Sequence, residues 1–141
     1  MEEKELLTAS KELDIRFSEV DSMNIVWHGA YVSYFEDARE AFGARYGLGY
    51  LDIFHQGFYA PLVDMHFSFK QPLIYGERAR VEITYVPTEA AKLKFTYQIF
   101  GCKDNRLIAT GDTTQVFLDM TYKMVLYGPD FYLQWKKEHG C

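Results

Sequence analysis

Asp21 stands just upstream of a helix-forming run that opens at His28-Gly29-Ala30-Tyr31, and residues of these types in this order can do acyl chemistry. The start of a helix leaves backbone N–H groups unpaired and carries the positive end of the helix dipole. A carboxylate beside such donors can attack a carbonyl carbon, or direct water at it, while the donors hold the oxygen on which charge develops. The segment therefore reads as a candidate acyl-transfer site. Asp21 could instead be a turn or cap residue, but it lies too far ahead of the helix start for a simple cap. His28 either packs its ring or meets substrate, with its backbone the safer functional element. Tyr31, one turn in, lines an acyl pocket or packs in the core.

Other reactive side chains are scattered. His55, His66 and His139 show no metal-ligand spacing, so no metal site is expected. Cys102 and Cys141 make neither a disulfide framework nor a metal motif, which points to a reducing, cytoplasmic compartment. Lys70, Arg78 and Arg80 come nearest to a cationic cluster, but their shared strand parity reads as a solvated face.

The elements that position these residues follow from periodicity. Leu13, Ile15 and Phe17 alternate with Glu12, Asp14 and Arg16, which predicts a half-buried strand over Glu12 to Phe17. Tyr31, Tyr34, Phe35, Ala38, Ala41 and Phe42 recur at helical spacing from Ala30 to Tyr46, with Glu36, Asp37, Arg39 and Glu40 on other faces and Gly47 and Gly49 beyond the end. Tyr50 to Phe58 is expected to hold a short helical turn. Strands follow at Val63 to Lys70, at 77–86 and at 93–100, each with strict alternation. From Leu107 to Asp119 neither parity is cleanly apolar, and a bulge near Gly111 would account for it. A last strand over Tyr122 to Leu126 and a helix over Phe131 to Glu138 complete the chain. One strand, one long helix and a run of antiparallel strands is an α+β pattern, with the sheet curling around the helix.

The 141 residues carry a formal charge of -5 and are 48% hydrophobic and 17% aromatic. That is one domain over 1–141 with ample core material, and its acidity argues against a nucleic-acid partner. The opening Met1-Glu2-Glu3-Lys4-Glu5 is charged where a secretory signal would turn apolar, and no run approaches a membrane span. A single sheet with one open face in so aromatic a chain predicts self-association.

The motif Phe17-x-x-x-Asp21-x-x-Asn24-Ile25-Val26-Trp27-His28-x-x-Tyr31, continued by Tyr34-Phe35-Glu36-Asp37-Ala38-Arg39, resembles the hotdog-fold acyl-CoA thioesterases of the 4-hydroxybenzoyl-CoA thioesterase type. Pro72-Leu73-Ile74-Tyr75-Gly76-Glu77 and Ala109-Thr110-Gly111 extend the likeness, which spans Glu12 to Met120. It implies a hotdog fold, an antiparallel sheet of five to six strands wrapped around one long central helix. It implies Asp21 as catalytic carboxylate, nucleophile or general base, and helix-start amides near His28 to Ala30 as oxyanion site, with Gly29 among them and Tyr31 beside the substrate. Coenzyme A is part of the substrate and no separate cofactor is implied. A homodimer or homotetramer with sites at the subunit interface is implied as well. Asn24 stands where the family commonly has Gly, and Asn tolerates a left-handed backbone. An acyl-carrier-protein thioesterase and a non-catalytic acyl-CoA binding module are the alternatives.

Overall fold

The structure is a computed structural model and describes residues 6–141. The charged run from Met1 to Glu5 lies outside the described residues. The chain forms β1 (Thr8–Asp14), a 3-10 turn (Phe17–Glu19), α1 (Ala30–Tyr46), α2 (Tyr50–His55), β2 (Leu62–Phe69), β3 (Arg78–Val86), β4 (Lys92–Gly101), β5 (Leu107–Val116) and α3 (Asp130–Glu138). The five strands make one sheet in the order β1-β3-β4-β5-β2, and every neighbouring pair is antiparallel. This is the α+β architecture expected.

The core lies between α1 and one face of the sheet. Tyr31, Tyr34, Phe35, Ala38 and Phe42 of α1 are buried against Val81, Ile83 and Tyr85 of β3 and Leu93, Phe95, Tyr97 and Ile99 of β4. Phe35 stacks on Tyr97 at 4.2 Å between ring centroids, and Phe42 meets Phe95 edge-on at 5.0 Å. Each such ring, fully buried, contributes about 1.5–3 kcal/mol. Gly47 ends α1 in the left-handed conformation, φ 70°, and its N–H donates to the Gly43 carbonyl. α3 seals the far end: the Trp135 indole N–H donates to the Tyr46 carbonyl at 2.7 Å, and the Tyr132 and Tyr85 hydroxyls share a hydrogen bond.

Three expectations need correction. The first strand runs Thr8–Asp14, not Glu12 to Phe17. The Arg16 N–H donates to Glu19 Oε1 at 2.7 Å and the Glu19 N–H returns to the Arg16 carbonyl, so local bonds displace the ladder and leave Phe17 77% exposed. The bulge in β5 sits at Ile108, where the register against β4 shifts between Ile99 and Phe100, and Gly111 pairs regularly with Tyr97. Gly111 serves a different need: a Cβ there would overlap the Phe35 ring and the His66 carbonyl. Tyr122 to Leu126 makes no strand, because Met124 forms only an isolated bridge to Leu118.

Candidate functional site

The bridge between Val20 and Val26 closes a tight loop that carries Asp21. The Asp21 N–H donates to the Ile25 carbonyl at 2.9 Å, and the Asn24 N–H to the Asp21 carbonyl at 3.0 Å. Asn24 takes φ 64°, the left-handed turn for which Asn substitutes for Gly. Oδ1 of Asp21 accepts the Met23 N–H at 2.8 Å and the Ile25 N–H at 3.3 Å. Oδ2 has no hydrogen-bond donor among the described residues, and Asp21 is exposed.

This loop is docked on the segment before β3. The Val26 N–H donates to the Leu73 carbonyl at 2.7 Å, and Ile25 bridges Ile74. The segment is held in turn by an ion pair that explains the Pro72 to Glu77 motif. Arg106 donates to both Glu77 oxygens, at 2.7 and 2.9 Å, and to the Pro72 carbonyl at 3.0 Å, while Glu77 Oε2 also accepts the Ile74 N–H. The Arg106 hydrogen bonds hold the Glu77 carboxyl below the usual carboxylate range.

At the helix start, the Ala30 N–H donates to the Trp27 carbonyl at 3.0 Å and the Tyr31 N–H to the His28 carbonyl at 3.3 Å. Those two amides are occupied. The His28 and Gly29 N–H groups donate to no backbone carbonyl among the described residues. Gly29 has ordinary helical dihedrals, so its small size answers to space and not to conformation: a Cβ would overlap the Trp27 indole. That indole is 49% exposed and meets the His28 ring edge-on at 5.5 Å.

Beside the helix start opens a cleft of about 300 Å³ lined by Ile25, Val26, His28, Tyr31, Phe69, Lys70, Gln71 and Pro72. Ile25, which bonds Asp21 through both its N–H and its carbonyl, places the carboxylate loop at the rim. Tyr31 is 3% exposed and presses edge-on against Phe69 at 5.0 Å. Burial, and then the Glu77 charge, push its hydroxyl up to about 12, so it stays protonated. The structure thus gathers His28, Tyr31 and the Asp21 loop at one cleft, and it adds Lys70.

Sequence reasoning missed a second polar group. Arg39, Thr113 and Gln115 are buried, whereas helical spacing places Arg39 on an outer face of α1. Its Nε donates to Gln115 Oε1 and its Nη2 to the Leu48 carbonyl, both at 2.8 Å, and the guanidinium lies 4.9 Å from the Phe95 ring centroid. Tyr97 and Thr113 share a hydroxyl hydrogen bond at 3.1 Å. The signal in the sequence is the broken parity of β5: Thr113 and Gln115 face inward to meet these partners. No group of three or more His, Cys, Asp or Glu among the described residues could hold a metal ion. His66 lies exposed between Asp112 at 2.9 Å and Asp64 at 3.4 Å, and the Asp112 hydrogen bond raises its pKa. No helix among the described residues is long and apolar enough to cross a membrane.

Comparison with known proteins adds four findings. Residues 15–135 match the family described as the thioesterase-like superfamily. YneP of Bacillus subtilis (strain 168), provisionally named an acyl-CoA thioesterase, is 35% identical over 93 residues, 66% of this chain and 67% of its own. The 1,4-dihydroxy-2-naphthoyl-CoA hydrolase of Crocosphaera subtropica is 27% identical over 107 residues, 74% of this chain and 78% of that protein. The crystal structure of a DHNA-CoA thioesterase from Staphylococcus aureus has a TM-score of 0.79 at 26% identity, over 95% of each chain.

Proposed function

The chain belongs to the thioesterase-like superfamily and has its hotdog fold, and on that premise we propose that it is a thioester hydrolase that converts acyl-CoA and water into a free acid and coenzyme A. Asp21 acts as nucleophile or general base. The His28 and Gly29 amides hold the carbonyl oxygen as it gains charge, and Tyr31 borders the acyl group. The observation that carries this reading is the Asp21 loop itself: one carboxylate oxygen is tied down by the Met23 and Ile25 amides, the other accepts no hydrogen bond among the described residues, and the loop's Ile25 lines a cleft together with His28 of the helix start. Donors fixed in place before charge develops lower the barrier without reorganising.

We further read the chain as one domain working as a homodimer or homotetramer in the cytoplasm, with no cofactor beyond the coenzyme A of its substrate. The support for self-association is the edge strand β2, whose Leu62, Val63 and Phe69 are exposed and whose outer edge has no strand beside it among the described residues.

Asp21→Asn tests the mechanism, because the amide keeps a carbonyl oxygen for the Met23 and Ile25 amides and so preserves the loop. Thiol release from acyl-CoA is expected to fall by about a hundredfold or more, with the melting temperature within a few degrees of wild type. Full turnover in a folded Asp21→Asn protein removes the assignment.

A further inference from the structure

Tyr34 sits in the second turn of α1, 2% exposed, with its ring edge-on to Tyr31 at 5.6 Å. Its hydroxyl is the one buried side-chain polar atom among the described residues that makes no hydrogen bond of ordinary geometry. An unpaired buried hydroxyl destabilises a fold, and native cores pair nearly all of them. Long side chains on a helix lean toward its N-terminus, which aims this hydroxyl at the end of α1 where the carboxylate loop arrives.

Glu19 is the acceptor placed to pair with it. Burial raises the Tyr34 pKa most, and the Glu19 carboxylate comes next, ahead of Tyr31 and Asp37 on the same helix. Glu19 is half-buried and already a junction. Its Oε1 accepts the Arg16 N–H at 2.7 Å, and its carbonyl accepts the Trp27 N–H at 3.0 Å. The bridge between Val20 and Val26 lies next along this neck, and Trp27 leads directly into His28 and Gly29. Glu19 therefore joins the two ends of the loop, one leading to the Asp21 carboxylate and the other to the helix-start amides.

We propose that Tyr34 is a positioning residue whose hydroxyl donates to the Glu19 carboxylate and clamps the neck of the Asp21 loop to α1. The Leu73 and Ile74 contacts tie that neck to the segment before β3, and the bond from Tyr34 ties it to the helix. Asp21 and the helix-start amides must address one carbonyl group from two different elements, so a charge-assisted bond between those elements sets their relative position. The clamp itself does not depend on what the chain hydrolyses; its effect on turnover rests on the hydrolase reading.

A double-mutant cycle of Tyr34→Phe and Glu19→Ala, read by urea unfolding, tests the bond without turnover. Tyr34→Phe is expected to raise the unfolding constant about tenfold with Glu19 in place, the scale of a hydrogen bond to a charged group, and by less than about twofold in the Glu19→Ala background. In thiol release from acyl-CoA, Tyr34→Phe is expected to lower kcat about tenfold with KM within about twofold, as befits a group that aims the carboxylate without touching substrate. Glu19→Gln keeps an oxygen for the Arg16 N–H and offers Tyr34 an amide, so it should retain more turnover than Glu19→Ala. A Tyr34→Phe change that is neutral or stabilising, as deletion of an unpaired hydroxyl would be, or that is equal in both backgrounds, overturns the clamp. Coupling without any fall in kcat overturns the positioning role. Wild type that shows the coupling yet releases no thiol overturns the hydrolase reading alone.

Discussion

Asp21 uses its two carboxylate oxygens differently, and that division makes single-atom substitutions informative. Oδ1 caps the loop and Oδ2 accepts no hydrogen bond among the described residues, so on the proposed hydrolase reading Asp21→Ala should lose both turnover and loop order while Asp21→Asn loses turnover alone. Gly29 offers a second residue-level test. Gly29→Ala drives a methyl into the Trp27 indole, and because that indole is half-exposed it can swing away at little cost to the fold. We expect a stability change within about 1 kcal/mol but a clear change in tryptophan emission, since Trp27 is exposed and Trp135, the other of the two tryptophans, is buried. Unchanged emission in a folded Gly29→Ala protein would mean that the indole does not rest on the helix start. Asp21 and Asn24 are legible in the sequence itself, because a carboxylate ahead of a helix and an Asn at a left-handed turn are local facts. The division of labour between Oδ1 and Oδ2 is not, since it depends on where two amides of the folded loop point.

Among the elements, the segment from Pro72 to Glu77 does more for the site than its sequence suggests. It offers the Leu73 carbonyl and Ile74 to the Asp21 loop, and the Glu77–Arg106 pair fixes it. Arg106→Met should cost about 2–3 kcal/mol, the scale of breaking a partly buried charged pair, and should lower kcat more than KM because the carboxylate loop loses its support. Thermal melts and steady-state kinetics on one preparation check both. The pair also sets an acid limit. Glu77 titrates lower in the fold than its ordinary value of about 4.3, so its stabilisation is complete above that value and is lost as the pH falls through the lower folded one. Glu77→Gln should therefore flatten the decline of stability below about pH 4.5, and an unchanged acid limb in urea titrations would contradict it. Strands β3 and β4 and helix α1 are readable from alternation and helical spacing within a residue or two. The β5 irregularity is visible as well, but its cause lies in partners far along the chain: Arg39 for Gln115, Tyr97 for Thr113, Phe35 for Gly111.

For the whole molecule, the uncovered edge of β2 is the feature with the widest reach. Val63 sits where the β2–β5 register shifts and is 56% exposed, so Val63→Lys should leave the chain folded while a charge at that edge opposes pairing with a second copy. Sedimentation at micromolar concentration should show wild type as a dimer or tetramer and Val63→Lys shifted toward monomer. A wild type that sediments as a monomer at every concentration would rule out the assembly. The aromatic content behind this expectation is divided in the fold: Phe35, Phe42, Tyr85, Phe95 and Tyr132 fill the core, while Phe17, Trp27, Phe69 and Tyr75 remain at the surface. Composition alone cannot divide them, because burial is decided by which strand face meets α1.

The missing side chain at Gly111 sets the angular phase of the central helix. Phe35 can enter the sheet only where no Cβ stands, and its stack with Tyr97 then fixes the rotation of α1 about its own axis. The amides of His28 and Gly29 ride on the N-terminal end of that same rigid rod. A methyl at Gly111 would act as a turn of the crank, re-aiming the helix start from a position on the sheet that touches neither Asp21 nor the cleft.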